Sequence, residues 1–78
     1  MKLEVRLYAT LRSYAPDSPN GVISVEVPES CTVGQLYGCL AIPPAEVRLA
    51  MVNGISAEPD QVLQPGNRIG LFPPVGGG

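Results

Sequence analysis

The residues with the clearest capacity for chemistry close the sequence, which ends Leu71-Phe72-Pro73-Pro74-Val75-Gly76-Gly77-Gly78. The α-carboxylate of Gly78 has an ordinary pKa of about 3.3–3.7, so it is ionised at neutral pH. An ionised carboxylate is a nucleophile towards the α-phosphate of ATP, and that attack gives an acyl-adenylate. We therefore treat the C-terminal carboxylate as the candidate reactive group.

The residues before that carboxylate suit insertion into a narrow channel of a partner. Pro73 and Pro74 fix φ near −65° and remove two backbone donors, so a strand cannot continue past Phe72. Gly76 and Gly77 have no Cβ and accept any backbone conformation that a partner imposes. Fully extended, residues 73–78 span roughly 20 Å. We expect a domain at 1–72 and a flexible tail at 73–78; a passive linker or a cloning remnant is the alternative.

Alternating apolar residues predict the sheet that would hold this tail. Residues 2–10 alternate with a period of two, which predicts a strand with Tyr8 on its outward side. A turn-rich segment leads to a second strand at 22–27, so the two strands form a hairpin. The last strand is predicted at 68–72, with Phe72 in the outward phase. The inward residues of these strands are Leu3, Val5, Leu7, Ala9, Ile23, Val25, Val27, Ile69 and Leu71.

The middle of the chain predicts one helix and a second hairpin. Thr32 followed by Gln35 forms a capping box, which marks the start of a helix. An apolar strand at 47–52 leads into Asn53-Gly54, a strong type I′ turn signal, and then into residues 55–56. The predicted apolar face of the helix is Val33, Leu36, Tyr37 and Leu40. The helix then covers one face of a mixed sheet of four to five strands, an α+β architecture.

Length and composition favour a carrier over an enzyme. A chain of 78 residues has little room for a deep catalytic pocket. The net charge of −2 and the scatter of five basic residues argue against nucleic-acid binding. No apolar run approaches the length of a membrane helix, so we expect a cytoplasmic protein without a membrane partner. Histidine is absent, and we expect neither a metal site nor a bound cofactor. Cys31 and Cys39 should lie roughly 10 Å apart on the predicted helix, as free thiols.

The chain resembles the MoaD/ThiS family of ubiquitin-like sulfur carrier proteins, most closely the small subunit of molybdopterin synthase. That type ends in Phe-Pro-Pro-Val, a small residue and Gly-Gly; Gly76 stands where Ala or Ser is usual. The similarity also covers Leu7-Tyr8-Ala9-Thr10-Leu11-Arg12, Val52-Asn53-Gly54 and residues 63–66. The triple glycine resembles the thiamine-type carriers, and the segment 33–46 is shorter than is usual for the molybdopterin type.

The resemblance implies a β-grasp fold with the first and last strands adjacent and parallel. It also implies that a ubiquitin-activating-type adenylyltransferase (MoeB- or ThiF-like) uses ATP to adenylate Gly78. A sulfur donor enzyme then supplies the sulfur of a thiocarboxylate, which is used by a MoaE-like large subunit of molybdopterin synthase or by a thiazole synthase. A ubiquitin-like modifier that acylates lysines, and a non-covalent β-grasp interaction module with a passive tail, are the alternatives.

Partner binding is predicted around the exit of the tail. Tyr8 and Phe72 should share an outward patch, and aromatic residues at these positions in the family lie on the surface gripped by partners. Pro73, Pro74 and Val75 continue that surface into the tail. Arg12 matches an arginine of the family and either binds an acidic partner residue or stabilises a short helical turn expected at Leu11 to Ala15; an unpaired solvated charge is the alternative.

Overall fold

The computed structural model describes residues 1–74. Five strands form one mixed sheet in the order β2-β1-β5-β3-β4. The strands are β1 (Lys2–Leu7), β2 (Val22–Glu26), β3 (Leu49–Val52), β4 (Ile55–Ala57) and β5 (Arg68–Phe72); the helix α1 spans Val33–Cys39, and 3₁₀ helices span Ala9–Tyr14 and Pro44–Glu46. None of the described helices is long and apolar enough to cross a membrane.

The centre of the sheet is the parallel pair of β1 and β5, as predicted. Val5 lies opposite Ile69 and Leu7 opposite Leu71 in this ladder. Strand β2 pairs antiparallel with the outer side of β1, and β3 pairs antiparallel with β5. The chain therefore brings its first and last strands together, and residue 72 leaves the sheet beside residue 8.

The core lies on one face of this sheet. The inward side chains of β1 and β5 are at most 1% exposed, and they share one apolar cluster with the buried face of α1. Its helical members are Val33, Leu36 and Tyr37, with Leu40 partly buried against them. The Thr32 hydroxyl accepts from the Gln35 backbone N–H, and the Gln35 side chain accepts from the Thr32 N–H, so the predicted capping box is confirmed.

The predicted end of the first strand, at residue 10, is wrong. Strand β1 stops at Leu7, and Ala9 is exposed at a φ of +52° instead of lying inward. The Tyr8 N–H still bonds the Leu71 carbonyl oxygen, but the Leu11 N–H turns back to the carbonyl oxygen of Tyr8. That turn begins a 3₁₀ helix which buries Leu11, so the core takes the leucine where the alternation predicted the alanine.

The second hairpin starts two residues later than predicted, and its turn lies where it was predicted. Strand β3 begins at Leu49 and not at residue 47, because the 3₁₀ helix Pro44–Glu46 closes with a bond from the Val47 N–H to the Pro44 carbonyl oxygen. Asn53 and Gly54 have φ values of +52° and +83°, which suit the predicted type I′ turn. Strand β4 extends to residue 57, one residue beyond the prediction.

Candidate functional site: the outward face of the sheet at the tail exit

Tyr8 and Phe72 form a stacked pair on the outward face of the sheet. Their ring centroids are 4.3 Å apart and their planes differ by 5°. The cause is the parallel register, since Leu7 lies opposite Leu71 and the next residue of each strand turns outward. Both side chains are partly exposed. The predicted adjacency of the two rings is therefore confirmed, whereas their role in binding a partner stays a prediction.

Both rings lie over Gly70, two residues before Phe72 on the same outward side. A Cβ built on Gly70 would lie 3.4 Å from Cε2 of Tyr8 and 3.5 Å from Cε2 of Phe72. A side chain larger than a methyl group would therefore compete with the rings for space. In the middle of a strand, glycine often marks a close approach by another group. Sequence alternation alone gave no signal for this residue.

An apolar groove, which we call the exit groove, runs from the stacked pair towards the tail. Strand pairing places Leu49 opposite Phe72, and the leucine is 39% exposed although it is a large apolar residue. Pro73, partly buried, and Pro74, exposed, form the end of the groove. The residues that line it are Tyr8, Ala9, Thr10, Arg48, Leu49, Phe72, Pro73 and Pro74. Gly78, the predicted reactive residue, lies outside the described residues, as do Gly76 and Gly77, predicted to enter a partner's channel, and Val75, predicted to contact a partner.

Three arginines surround this surface, although they are far apart in the sequence. Arg6 and Arg68 line the depression over Gly70, and Arg48 lines the exit groove. All three are exposed. The main chain of Arg48 is held beside Phe72 because its backbone N–H donates to the Phe72 carbonyl oxygen at 2.8 Å. Sequence reasoning treated the basic residues as scattered, whereas the fold brings Arg6 and Arg68 to one depression and Arg48 to the neighbouring exit groove.

Arg6 also has an acidic neighbour on its own strand. Its Nε donates to Oε2 of Glu4 at 2.8 Å. This hydrogen bond and the negative charge of Glu4 raise the pKa of Arg6, so the guanidinium remains charged. The pair is solvent-exposed on both sides and contributes little to stability. It does neutralise Glu4 electrostatically.

Arg12 does not join this surface. It is exposed within the first 3₁₀ helix, and its Cγ would lie 3.2 Å from a Cβ built on Gly21, at the turn before β2. Within the described chain no carboxylate lies within salt-bridge distance of Arg12. Both predicted roles of Arg12, stabilising the turn at Leu11 to Ala15 and contacting a partner, stay predictions.

The two cysteines are free thiols, as predicted. Cys31 is buried, and its Sγ–H donates to the Thr32 carbonyl oxygen at 3.4 Å. Burial raises the pKa of the Cys31 thiol, and the nearby Cys39 thiol raises it further, so the reactive thiolate is disfavoured. Cys39 is exposed. Among residues 1–74, His, Cys, Asp and Glu form no group of three or more that could hold a metal ion.

Comparison with known proteins gives a family and a fold. The family described as Mut7-C ubiquitin matches residues 1–76. SAMP1 from Haloferax volcanii is 27% identical over 100% of both chains, with a TM-score of 0.72. The HVO 2177 protein of Haloferax volcanii is 28% identical over 100% of this chain and 87% of that chain, with a TM-score of 0.76. A search of the curated proteins found no match.

A further solved structure shows the fold alone. It is the putative molybdopterin converting factor, subunit 1, from Pyrococcus furiosus. Identity is 24% over 96% of this chain and 99% of that chain, and the TM-score is 0.75. Together these likenesses confirm the predicted ubiquitin-like β-grasp fold.

Proposed function

Because the chain belongs to the Mut7-C ubiquitin family, a family of small ubiquitin-like proteins, we propose that it is a sulfur carrier whose reactive group is the carboxylate of Gly78. The observation that carries the proposal is the combination of the Phe-Pro-Pro-Val-Gly-Gly-Gly ending with the partly exposed aromatic pair where that ending leaves the sheet. The domain supplies a docking surface and the tail supplies the acyl group.

The first step belongs to a ubiquitin-activating-type partner that binds ATP. A carboxylate oxygen of Gly78 attacks the α-phosphorus, pyrophosphate leaves, and an acyl-adenylate forms. The partner must hold that carboxylate in line with the leaving pyrophosphate, so the length of the tail matters as much as its chemistry. Gly76 and Gly77 allow this placement because they add no side-chain bulk in a narrow channel.

The second step converts the acyl-adenylate into a thiocarboxylate. A hydrosulfide equivalent from a sulfur donor enzyme attacks the acyl carbon, and AMP leaves with the former carboxylate oxygen. The thiocarboxylate then transfers its sulfur inside a second partner. The Phe-Pro-Pro motif favours the molybdenum or tungsten cofactor pathway and a MoaE-like large subunit; the triple glycine favours the thiamine pathway and a thiazole synthase. Among these we propose the molybdopterin pathway.

A ubiquitin-like protein modifier is the second candidate. The likeness to SAMP1, the small archaeal modifier protein 1 of Haloferax volcanii, favours it. The adenylation step is the same, but a lysine amine would attack the activated acyl carbon and form an isopeptide. Intact-mass analysis of protein isolated from its source separates the two: replacement of one oxygen by sulfur indicates the carrier, and an adduct on another protein indicates the modifier. The absence of both products would favour a non-covalent module with a passive tail.

The decisive assay is ATP–pyrophosphate exchange with the ubiquitin-activating-type enzyme of the same organism. Deleting Gly78, or adding one residue after it, moves the carboxylate by about 3.5 Å and should abolish exchange. Gly77→Val should slow exchange through its bulk and its restricted backbone, whereas Gly76→Ala should have little effect. A thermal melt of each variant serves as the folding control. Exchange by the Gly78 deletion at the parent rate would contradict the proposal.

A further inference from the structure

A shallow depression lies over Gly70 on the outward face of the sheet. It has a volume of about 200 Å³, and the Tyr8–Phe72 pair forms one side. Arg6 and Arg68 line the depression as well. Because Gly70 contributes no side chain, the two guanidinium groups border a hollow and not a filled surface. The exit groove shares Tyr8 and Phe72 with this depression, and Arg48 supplies a third positive charge there.

The charges on this face are unbalanced. By strand register, Glu4 is the one carboxylate on the outward side of β1, β5 and β3. It already accepts the 2.8 Å bond from Arg6. In the described part of the chain, no carboxylate lies within 4.0 Å of Arg48 or Arg68. A protein of net charge −2 thus presents an excess of positive charge at the aromatic end of this face.

These features select the chemistry of an occupant. Guanidinium groups bind carboxylates in bidentate pairs, and the rings with Leu49 offer apolar contact between those pairs. A single-stranded nucleic acid fits less well, because its bases need free aromatic faces and the two rings at 4.3 Å cover one face of each other. An extended protein segment that alternates acidic and apolar or β-branched residues matches both the positive charge and the apolar surface.

We propose that the depression over Gly70 and the exit groove together bind an extended acidic segment of the activating enzyme. Its carboxylates pair with Arg68 and Arg48, and its other side chains pack on Tyr8 and Phe72. The proposal rests on the function proposed above and adds to it the chemistry of the partner. Complementary charge of this kind sets partner choice and association rate more than affinity. The arginines would therefore distinguish one activating enzyme from another that shares the same adenylation chemistry.

The direct test needs no enzyme. Amide chemical shifts of the full, ¹⁵N-labelled chain are followed during titration with a peptide of alternating glutamate and threonine, and with its glutamine-for-glutamate version. We expect shifts centred on Gly70, Arg68 and Phe72 with the acidic peptide only, weakened by added salt. Arg68→Gln should weaken peptide binding roughly 3- to 10-fold, and Lys2→Gln, at the far end of β1, should leave it unchanged.

Three results would overturn the proposal: equal shifts with both peptides, shifts confined to another surface, or shifts that grow with protein concentration without peptide, which would indicate a second copy of this chain. Both variants change exposed side chains, so their melting temperatures should match the parent and exclude unfolding as the cause.

The enzyme provides a second arm that separates this proposal from the function. In the exchange assay, Arg68→Gln should raise KM for the carrier without changing kcat, because the arginine does not contact the reacting atoms. The variant lacking Gly78 should lose exchange but keep the peptide-induced shifts. If the parent fails to support exchange, the proposed function fails while the peptide titration still decides the docking chemistry. A lower kcat with an unchanged KM in Arg68→Gln would contradict the docking role.

Discussion

Phe72 and Leu71 are neighbours on β5 that face opposite sides of the sheet, and replacing each with alanine separates docking from folding. Leu71 is 0% exposed in the core, so Leu71→Ala should cost about 2–5 kcal/mol of unfolding free energy. Phe72 lies on the outward face and is only partly buried. Its main loss in Phe72→Ala is the stacking on Tyr8, worth about 0.5–1.5 kcal/mol, together with some apolar burial.

We therefore expect Phe72→Ala to cost about 1–2 kcal/mol although phenylalanine is the larger residue. In a domain of this size, each kcal/mol lowers Tm by about 4–8 °C, so differential scanning calorimetry can resolve the two variants. The loss of affinity for the activating enzyme should follow the reverse order, larger for Phe72→Ala than for Leu71→Ala. Phe72→Ala should weaken binding by about 2 kcal/mol as a buried aromatic contact of an interface.

Two further measurements test the origin of these effects. Ile55 is 72% exposed and lies outside the exit groove, so Ile55→Ala is the control for loss of a surface apolar side chain and should change neither Tm nor affinity much. A double-mutant cycle of Tyr8→Ala with Phe72→Ala should give a coupling of about 0.5–1.5 kcal/mol in stability. A Phe72→Ala protein that melts as low as Leu71→Ala yet binds its partner like the parent would refute the reasoning, because the ring would then belong to the core.

Three other predictions concern the scaffold and its titration. Thr32→Ala removes the capping box and should lower the unfolding free energy by about 1 kcal/mol in urea denaturation; an unchanged midpoint would mean that the cap is not formed in solution. Gly21 and Gly54 both have positive φ, +74° and +83°, so alanine is strained at either position, and Gly54→Ala should lower the unfolding free energy by roughly 1–2 kcal/mol. Gly21→Ala should be more destabilising, because a Cβ on Gly21 would collide with the Leu7 carbonyl oxygen whereas one on Gly54 meets open space. Tyr14 donates a 2.7 Å hydrogen bond to Glu46, and this bond, with desolvation, raises the pKa of Tyr14 above its ordinary value of 10.0. Because the folded pKa is the higher one, the stabilisation is present below pH about 10 and is lost as the pH rises through the folded pKa. In an NMR titration, Glu46→Gln should lower the pKa of Tyr14; an unchanged value would contradict the bond.

Local sequence determined those parts of the protein whose physics is local. The capping box of Thr32 and Gln35 and the type I′ turn at Asn53-Gly54 follow from side-chain hydrogen bonding and from backbone preferences within four residues. The alternation in β1 and β5 identified their buried faces because side chains alternate in any strand. The motif at the tail identified the candidate reactive terminus because that chemistry requires no tertiary partner within this chain.

Tertiary structure decided what depends on pairing between distant strands. Alternation predicted a first strand that reaches residue 10, but the chain turns into a 3₁₀ helix after Tyr8, which buries Leu11 in the core and leaves Ala9 exposed. The resemblance placed β1 beside β5, yet only their register could show that the two rings stack over a glycine. The same register gathers Arg6 and Arg68, which sequence reasoning treated as scattered. A register is set by the packing of whole strands against one core, and a one-residue slip would have turned every one of these side chains to the other face.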